Sequence, residues 1–307
     1  MIEVDGGDSR MRYHITHQTL YRYGSDVVHS HQLLHLVPRP APYQQCLEHS
    51  LRIDQAGYRR SDETDAFGNP VTCIELMQPH RELAVTTDME VLVHPRPVAP
   101  ASSSLPWEHT CSALRYHGLW PARENLEACR FRHESAYVRI KRAFNDYAED
   151  CFPAGEPILA CAEALMSKLH GDMRYAPGET AISTPLTEIL ASRRGVCQDF
   201  AHLMIACLRS RGLAARYVSG YVRSASRDAA SRPTTNVGAG ASHAWVAVYA
   251  PPLGWIELDP TNDKRVGTEH VAVAWGRDFG DVSPLRGIIL GGGSHELSVS
   301  VTVEPLD

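Results

Sequence analysis

Arg194-Gly195-Val196-Cys197-Gln198-Asp199-Phe200-Ala201-His202 is the stretch on which the reading of this chain turns. After the glycine, Phe200, Leu203, Met204, Cys207 and Leu208 recur at three- and four-residue spacing, which predicts an amphipathic helix ending near Gly212. Cys197 then falls in the first turn, where unpaired backbone N–H groups and the helix dipole favour an anion. Such a position favours thiolate over thiol, and the same N–H groups can receive an oxyanion. Most free cysteines are small buried hydrophobes, so Cys197 alone decides little. A nucleophile also needs a base and an acid to orient that base.

Both are present at the ends of one predicted hairpin. Residues 244–249, Ala-Trp-Val-Ala-Val-Tyr, alternate and are rich in β-formers, with His243 at their entrance. Pro251-Pro252-Leu253-Gly254 reads as a turn, and Trp255-Ile256-Glu257-Leu258 as the returning strand, with Asp259 at its end. Two short strands and a loop fill the sixteen residues from His243 to Asp259, so the hairpin brings imidazole and carboxylate together. Thiol, imidazole and carboxylate are the set that nucleophilic acyl transfer requires.

Four stretches, 194–202, 215–221 (Ala-Arg-Tyr-Val-Ser-Gly-Tyr), 241–245 (Ala-Ser-His-Ala-Trp) and 254–262 (Gly-Trp-Ile-Glu-Leu-Asp-Pro-Thr-Asn), resemble the core of the bacterial transglutaminase-like superfamily. Asp65-Ala66-Phe67-Gly68-Asn69 and Tyr13-His14-Ile15-Thr16-His17 resemble its N-terminal β domain, and residues 276–284 its C-terminal segment, so the likeness covers nearly the whole chain from about Met11. The family's members are commonly described as cysteine peptidases. The resemblance implies Cys197 as nucleophile, His243 as base and Asp259 as orienting acid, with Tyr175 at the aromatic position that assists the oxyanion or packs beneath the site. Gln198, Asp199 and Trp245 are further oxyanion or substrate-pocket candidates. Gly240 and Ala247 depart from relatives, which often carry acidic residues there; neither touches the triad.

The expected fold is α+β: a β-rich N-terminal domain, then a transglutaminase-like, papain-like core of helices on an antiparallel sheet. The domain runs over 11–95, with strands at 13–23, 46–53, 71–77 and 83–93. Residues 96–134 read as a linker and connecting segment, opened by Pro95-Arg96-Pro97-Val98-Ala99-Pro100-Ala101-Ser102-Ser103-Ser104. The core spans 135–307, with helices at 137–147, 157–169 and 185–192, the last with Thr184 as N-cap and Pro185 at its first position. Strands follow at 215–222, 244–249 and 255–258, and a final strand at 296–303. The polar run 224–242 is uncommon inside a compact domain and reads as a disordered insertion or a flap.

Composition fits a soluble enzyme, with 43% hydrophobic and 21% charged residues over 307. A formal charge of −6 gives no basic footprint for nucleic acid. There is no apolar run of about 18 residues for a membrane span, and the polar N-terminus is unlike a signal peptide. Cytoplasmic residence is therefore the expectation. The eight cysteines contain no Cys-x-x-Cys pair, and His14, His17, His29, His31 and His35 form no metal-ligand spacing, so neither metal nor cofactor is expected. A zinc site from Cys197, His202 and His243 has no supporting motif; His202 reads as a residue that packs or hydrogen-bonds behind the site. Asp278 and Asp281 are candidates for closing the groove by resemblance alone. The partner implied is a peptide, protein or amide substrate. The sequence does not separate hydrolysis from transglutaminase or ligase chemistry, or either from a binding module on the same fold.

Overall fold

The alternation that opens at Tyr13 runs further than the sequence predicts. In the computed structural model, which describes residues 10–115, 122–223 and 242–306, β1 extends over Met11–Leu34. Its buried positions are odd-numbered at first (Tyr13, Ile15, His17, Thr19, Tyr23) and even-numbered later (Ser30, Gln32, Leu34). A register shift between Val27 and His29 makes the change; one extra residue in a period-two strand moves every later side chain to the other face.

Strands β2 (Gln44–Ile53), β3 (Arg59–Thr64), β4 (Pro70–Leu76) and β5 (His80–Val93) complete the order β2-β5-β1-β4-β3. The first half of β1 pairs mainly with β5, and the second half with β4. The four expected strands are present, three of them longer than their patterns and β4 of the same length, shifted by one residue. β3 was not expected, because Arg59-Arg60-Ser61-Asp62-Glu63-Thr64 is exposed at every position and shows no alternation.

The segment 96–134 is more than a linker. It forms α1 (Trp107–Ala113) and α2 (Arg123–Cys129), and buries Cys111, Leu114, Ala128 and Phe131. Its Pro/Ser-rich opening conceals anchors that carry no periodic pattern. Next come α3 (Arg142–Ala148), α4 (Ile158–Asp172), β6 (Arg174–Tyr175), α5 (Leu186–Ser192) and β7 (Arg194–Gly195). The first of these begins five residues later than its apolar spacing suggests. Thr184 does not cap α5: Pro185 occupies the N-cap position, and the Thr184 hydroxyl accepts a hydrogen bond from the Ala181 N–H instead.

The second sheet is built from β8 (Ala215–Val222), β9 (His243–Tyr249), β10 (Trp255–Asp259), β11 (Lys264–Arg265) and β12 (His270–Gly276), in the order β11-β10-β9-β8-β12. Helix α6 (Cys197–Ser210), preceding β8, packs across it and buries Phe200, Leu203, Met204, Ile205 and Leu208. Each such side chain contributes about 1.5–3 kcal/mol relative to exposure, which holds the helix start against the sheet.

After α7 (Phe279–Val282), β13 (Leu285–Gly291) and β14 (His295–Leu306) do not join that second sheet. Both pair antiparallel with β1. The C-terminal strand, expected within the core, thus returns to the N-terminal sheet; alternation marks a half-buried strand but not its neighbour. The contact also runs the other way. β12 is an edge strand, and side-chain amides cover it: Gln44 bonds the N–H and C=O of Ala272, and Asn69 those of Trp275, at 2.6–2.9 Å. Asn69, from the quoted Asp65–Asn69 turn, completes an edge that would otherwise expose unpaired backbone groups.

Candidate active site

Helix α6 starts at Cys197 because Asp199 caps it. The Val196 N–H donates to Asp199 Oδ2 at 2.8 Å, and the Thr180 hydroxyl donates to the same oxygen at 2.6 Å. Valine has no side-chain acceptor to return the bond, so only one half of a capping box forms. Gly195 is required here, since a Cβ would stand 2.6 Å from Asp199 Cβ. Burial pushes the Asp199 carboxyl above its ordinary range against those two bonds. Cys197 is nearly buried, in the helix's first turn.

His243 opens β9 and Asp259 closes β10, and the antiparallel pairing of these strands brings the two side chains together. His243 Nε2 meets Asp259 Oδ2 at 2.8 Å, both side chains fully buried. Asp259 is held by further donors. Oδ2 also accepts from Asn262 Nδ2 at 2.7 Å and His270 Nε2 at 3.1 Å, and Oδ1 from the N–H groups of Thr261 (3.0 Å) and Asn262 (3.3 Å). Burial opposes charge on both partners of the pair. Even so, the Asp259 carboxylate, with Cys197 adding to it, raises His243 well above the usual imidazole range. His243 and His270 in turn hold Asp259 well below the usual carboxylate range.

The bond to Asp259 fixes the tautomer, with Nε2–H donating and Nδ1 left as the basic atom. Nδ1 is buried and makes no fully formed hydrogen bond, yet Cys197 is near enough to hydrogen-bond the imidazolium and favour it. Cys197 thus lies near the His243 ring without a formed hydrogen bond to Nδ1.

His270 and Asn262 were missed from the sequence as site residues. Asn262 stands three residues after Asp259, within a quoted motif. His270 had no signal, for it comes from β12 at the far edge of the sheet. Burial lowers its pKa, and its Nδ1 has no partner. A neutral ring with the hydrogen on Nε2 satisfies both observations.

The other candidates separate. Tyr175 lies beside Gly195 through the parallel β6–β7 pair, and its phenol is pushed up to about 12 by burial and by Cys197. Gln198 is half-buried in the first turn of α6. Asp199 supports Cys197 from behind and lines a small cavity of about 180 Å³ with Tyr137 and His202. Trp245, a pocket candidate, is packed within the covered face of the second sheet. It is fully buried, its indole N–H donating to Glu257 Oε2 at 2.6 Å and its ring edge-on to His270 at 5.2 Å. Strand alternation places it on the same face as His243, where the sheet is covered.

His202 Nε2 accepts the Phe279 N–H at 3.1 Å, and the ring stacks on Tyr137. Its lone pair is thereby occupied, which removes the Cys197–His202–His243 zinc arrangement. Asp278 caps α7 through Gly280 and accepts the Tyr137 N–H, while Asp281 binds Arg277. Asp278 thus ties α7 to the segment at Tyr137, and Asp281 closes a local contact with Arg277. The run 224–242, weighed as flap or insertion, lies outside the described residues apart from Ser242, as does Gly240.

Residues 13–92 match the bacterial transglutaminase-like N-terminal region, and residues 145–260 the transglutaminase-like superfamily. An uncharacterized protein of Mycobacterium tuberculosis is 39% identical over 304 residues, covering 96% of this chain and 93% of the relative. A protein-glutamine gamma-glutamyltransferase of Pseudomonas aeruginosa is 29% identical over 109 residues, 32% of this chain and 16% of that protein. A crystal structure from Cytophaga hutchinsonii, provisionally assigned as a cysteine protease, superposes with a TM-score of 0.75 at 19% identity, covering 98% of this chain and 92% of the other. It shares the fold.

Proposed function

The chain belongs to the bacterial transglutaminase-like superfamily, and from that premise we propose that it is a thiol-dependent acyl-transfer enzyme hydrolysing a peptide or other amide. His243 Nδ1 takes the Cys197 proton, and the thiolate attacks the amide carbonyl while N–H groups at the start of α6 receive the oxyanion. The carbon–nitrogen bond breaks, and the imidazolium passes its proton to the leaving amine. Water, deprotonated by His243, then attacks the thioester and releases the acid with the free thiol. Asp259 keeps Nε2 protonated throughout and balances the imidazolium charge. His270 acts as a positioning residue by fixing Asp259.

The observation that carries this reading is the buried 2.8 Å bond between His243 and Asp259, with Nδ1 left without a partner and Cys197 close enough to bear on the same ring. A purely structural histidine on a core strand has no need of an ionised partner supplied with five donors.

A second reading, resolution of the acyl-enzyme by an amine, draws on the match to the Pseudomonas aeruginosa glutamyltransferase. One experiment addresses both. A casein digest is incubated with the protein and a primary amine, and products are read by mass spectrometry against Cys197→Ala. New termini that appear only with the intact thiol support hydrolysis. Amine adducts on glutamine support transfer. The absence of both, together with alkylation of Cys197 no faster than the other thiols, would leave a binding module.

A further inference from the structure

The register shift in β1 has a chemical consequence on the outer face of the N-terminal sheet. Val27 points into the core, and by unbroken alternation His29 and His31 would do so too. The shift between Val27 and His29 turns both outward instead. Bulges commonly re-aim side chains in this way near functional sites. His31 pairs directly with Glu75 of β4, so the carboxylate shares the face with both imidazoles.

The three donor atoms converge. His29 Nε2 lies 3.2 Å from Glu75 Oε1, and His31 Nε2 lies 3.5 Å from the same oxygen. All three ligand atoms fall within 4.8 Å of one another. Donors bound tetrahedrally to zinc at its usual bond lengths stand roughly 3.3 Å apart. The two measured edges already match that spacing, and the half-exposed histidine ends can rotate to close the third. The other Glu75 oxygen faces Arg59 Nη1 at 3.7 Å, the outer support that metal-bound carboxylates commonly receive. Beside the cluster opens a cavity of about 610 Å³, lined in part by Arg59, Arg60, Arg286 and Ile288.

We propose that His29, His31 and Glu75 form a binding site for a borderline divalent cation of the zinc class, with a remaining coordination position open to an anionic donor from the arginine-lined cavity. Two imidazoles and one carboxylate suit zinc, cobalt or nickel better than calcium or magnesium, which prefer all-oxygen cages. Three protein ligands leave a place for an external one. The site lies in the N-terminal sheet and shares no residue with the Cys197 region, so it stands whether or not that region is catalytic.

The test uses full-length, metal-stripped Cys197→Ala protein, so that the buried thiol cannot compete, titrated with zinc chloride by calorimetry and with cobalt chloride by visible absorption. One saturable site is expected, with cobalt d–d bands and no thiolate charge-transfer band. His31→Ala and Glu75→Gln should each weaken binding by at least the roughly tenfold that loss of an outer-shell partner costs. These positions lie on an open sheet face, and circular dichroism checks that both variants fold. Failure to saturate, a thiolate band pointing to Cys73 or another cysteine, or affinity unchanged in His29→Ala/His31→Ala would each overturn the assignment.

Discussion

Changing Asp259 to asparagine separates an orienting carboxylate from a merely buried one. In the wild type, Oδ2 accepts bonds from His243, His270 and Asn262, and Oδ1 from two backbone N–H groups. An amide offers one oxygen. Whichever way it turns, its NH2 confronts at least two donors that cannot move away. Hydrogen bonds to a charged group contribute about 1.5–3 kcal/mol each, so losing two of them destabilises by at least about 3 kcal/mol, within the range of about 3–5 kcal/mol for breaking a buried charged pair. At about 2–4 °C per kcal/mol for a chain near this size, Tm should fall by roughly 6–20 °C. If the NH2 faces His243, the ring must present its Nε2 lone pair and carry the proton on Nδ1, where it can no longer accept one from Cys197. Alkylation proceeds through the thiolate, and a positioned base that takes the thiol proton is worth roughly 10²–10⁴-fold. Iodoacetamide alkylation of Cys197 at pH 6, followed by intact mass well below the variant's Tm, should therefore slow by about a hundredfold. A folded variant alkylated at the wild-type rate would refute the argument.

His270→Leu should lower kcat/KM by roughly 10–100-fold through loss of one charged hydrogen bond, and His270→Gln, which keeps a donor, should recover most of it; equal losses in both would make the role one of packing. Because the folded-state pKa of His243 lies above its ordinary 6.5, at about 10, its proton favours the folded state. That stability is complete below about pH 6.5 and is lost as pH rises through about 10. Melting temperatures between pH 7 and 10 should thus decline more steeply for the wild type than for His243→Gln, and parallel slopes would contradict the pairing. Gly220→Ala puts a Cβ 2.1 Å from the Val271 carbonyl oxygen and 2.5 Å from the Trp245 ring, so a loss of at least about 1–3 kcal/mol in urea unfolding is expected; an unchanged midpoint would mean the strands under the site yield freely.

What the sequence disclosed follows from the range of each interaction. Cys197, His243 and Asp259 were legible because each marks the end of an element, where composition changes over a few residues. Strands β8, β9 and β10 were legible from alternation and β-branched residues. His270 was not, because its link to Asp259 depends on which strands neighbour one another. Glu75 beside His31 was hidden for the same reason, and the shift that turns His29 outward is visible only as a register. β3 lacked an apolar face, and β14 showed its face without its partner. Trp245 read equally as core or as cleft wall, because alternation gives its face but not what covers that face; the structure buries it completely.

That covered face explains why the N-terminal domain belongs to the site's support. On β9 and β10 the same alternation that sets His243 beside Asp259 sets Trp245 beside Glu257, one row further along. Glu257 is a buried carboxylate whose burial would favour the neutral acid, yet it is held below its ordinary range by Arg96, Tyr43 and Trp245. Arg96 meets it at 3.0 Å and Tyr43 donates its hydroxyl. Both come from before residue 97, so the charge that balances Glu257 is supplied from outside the second sheet. Without it, a buried anion would sit two residues from Asp259 on the same strand, competing for the same scarce donors. The two sheets are also joined at the edge of β12 by Gln44 and Asn69, and the chain's last strand lies against its first. Cutting near residue 97 would thus remove a counter-ion, an edge cover and a strand partner at once, which is why the transglutaminase-like core depends on the N-terminal sheet for its packing.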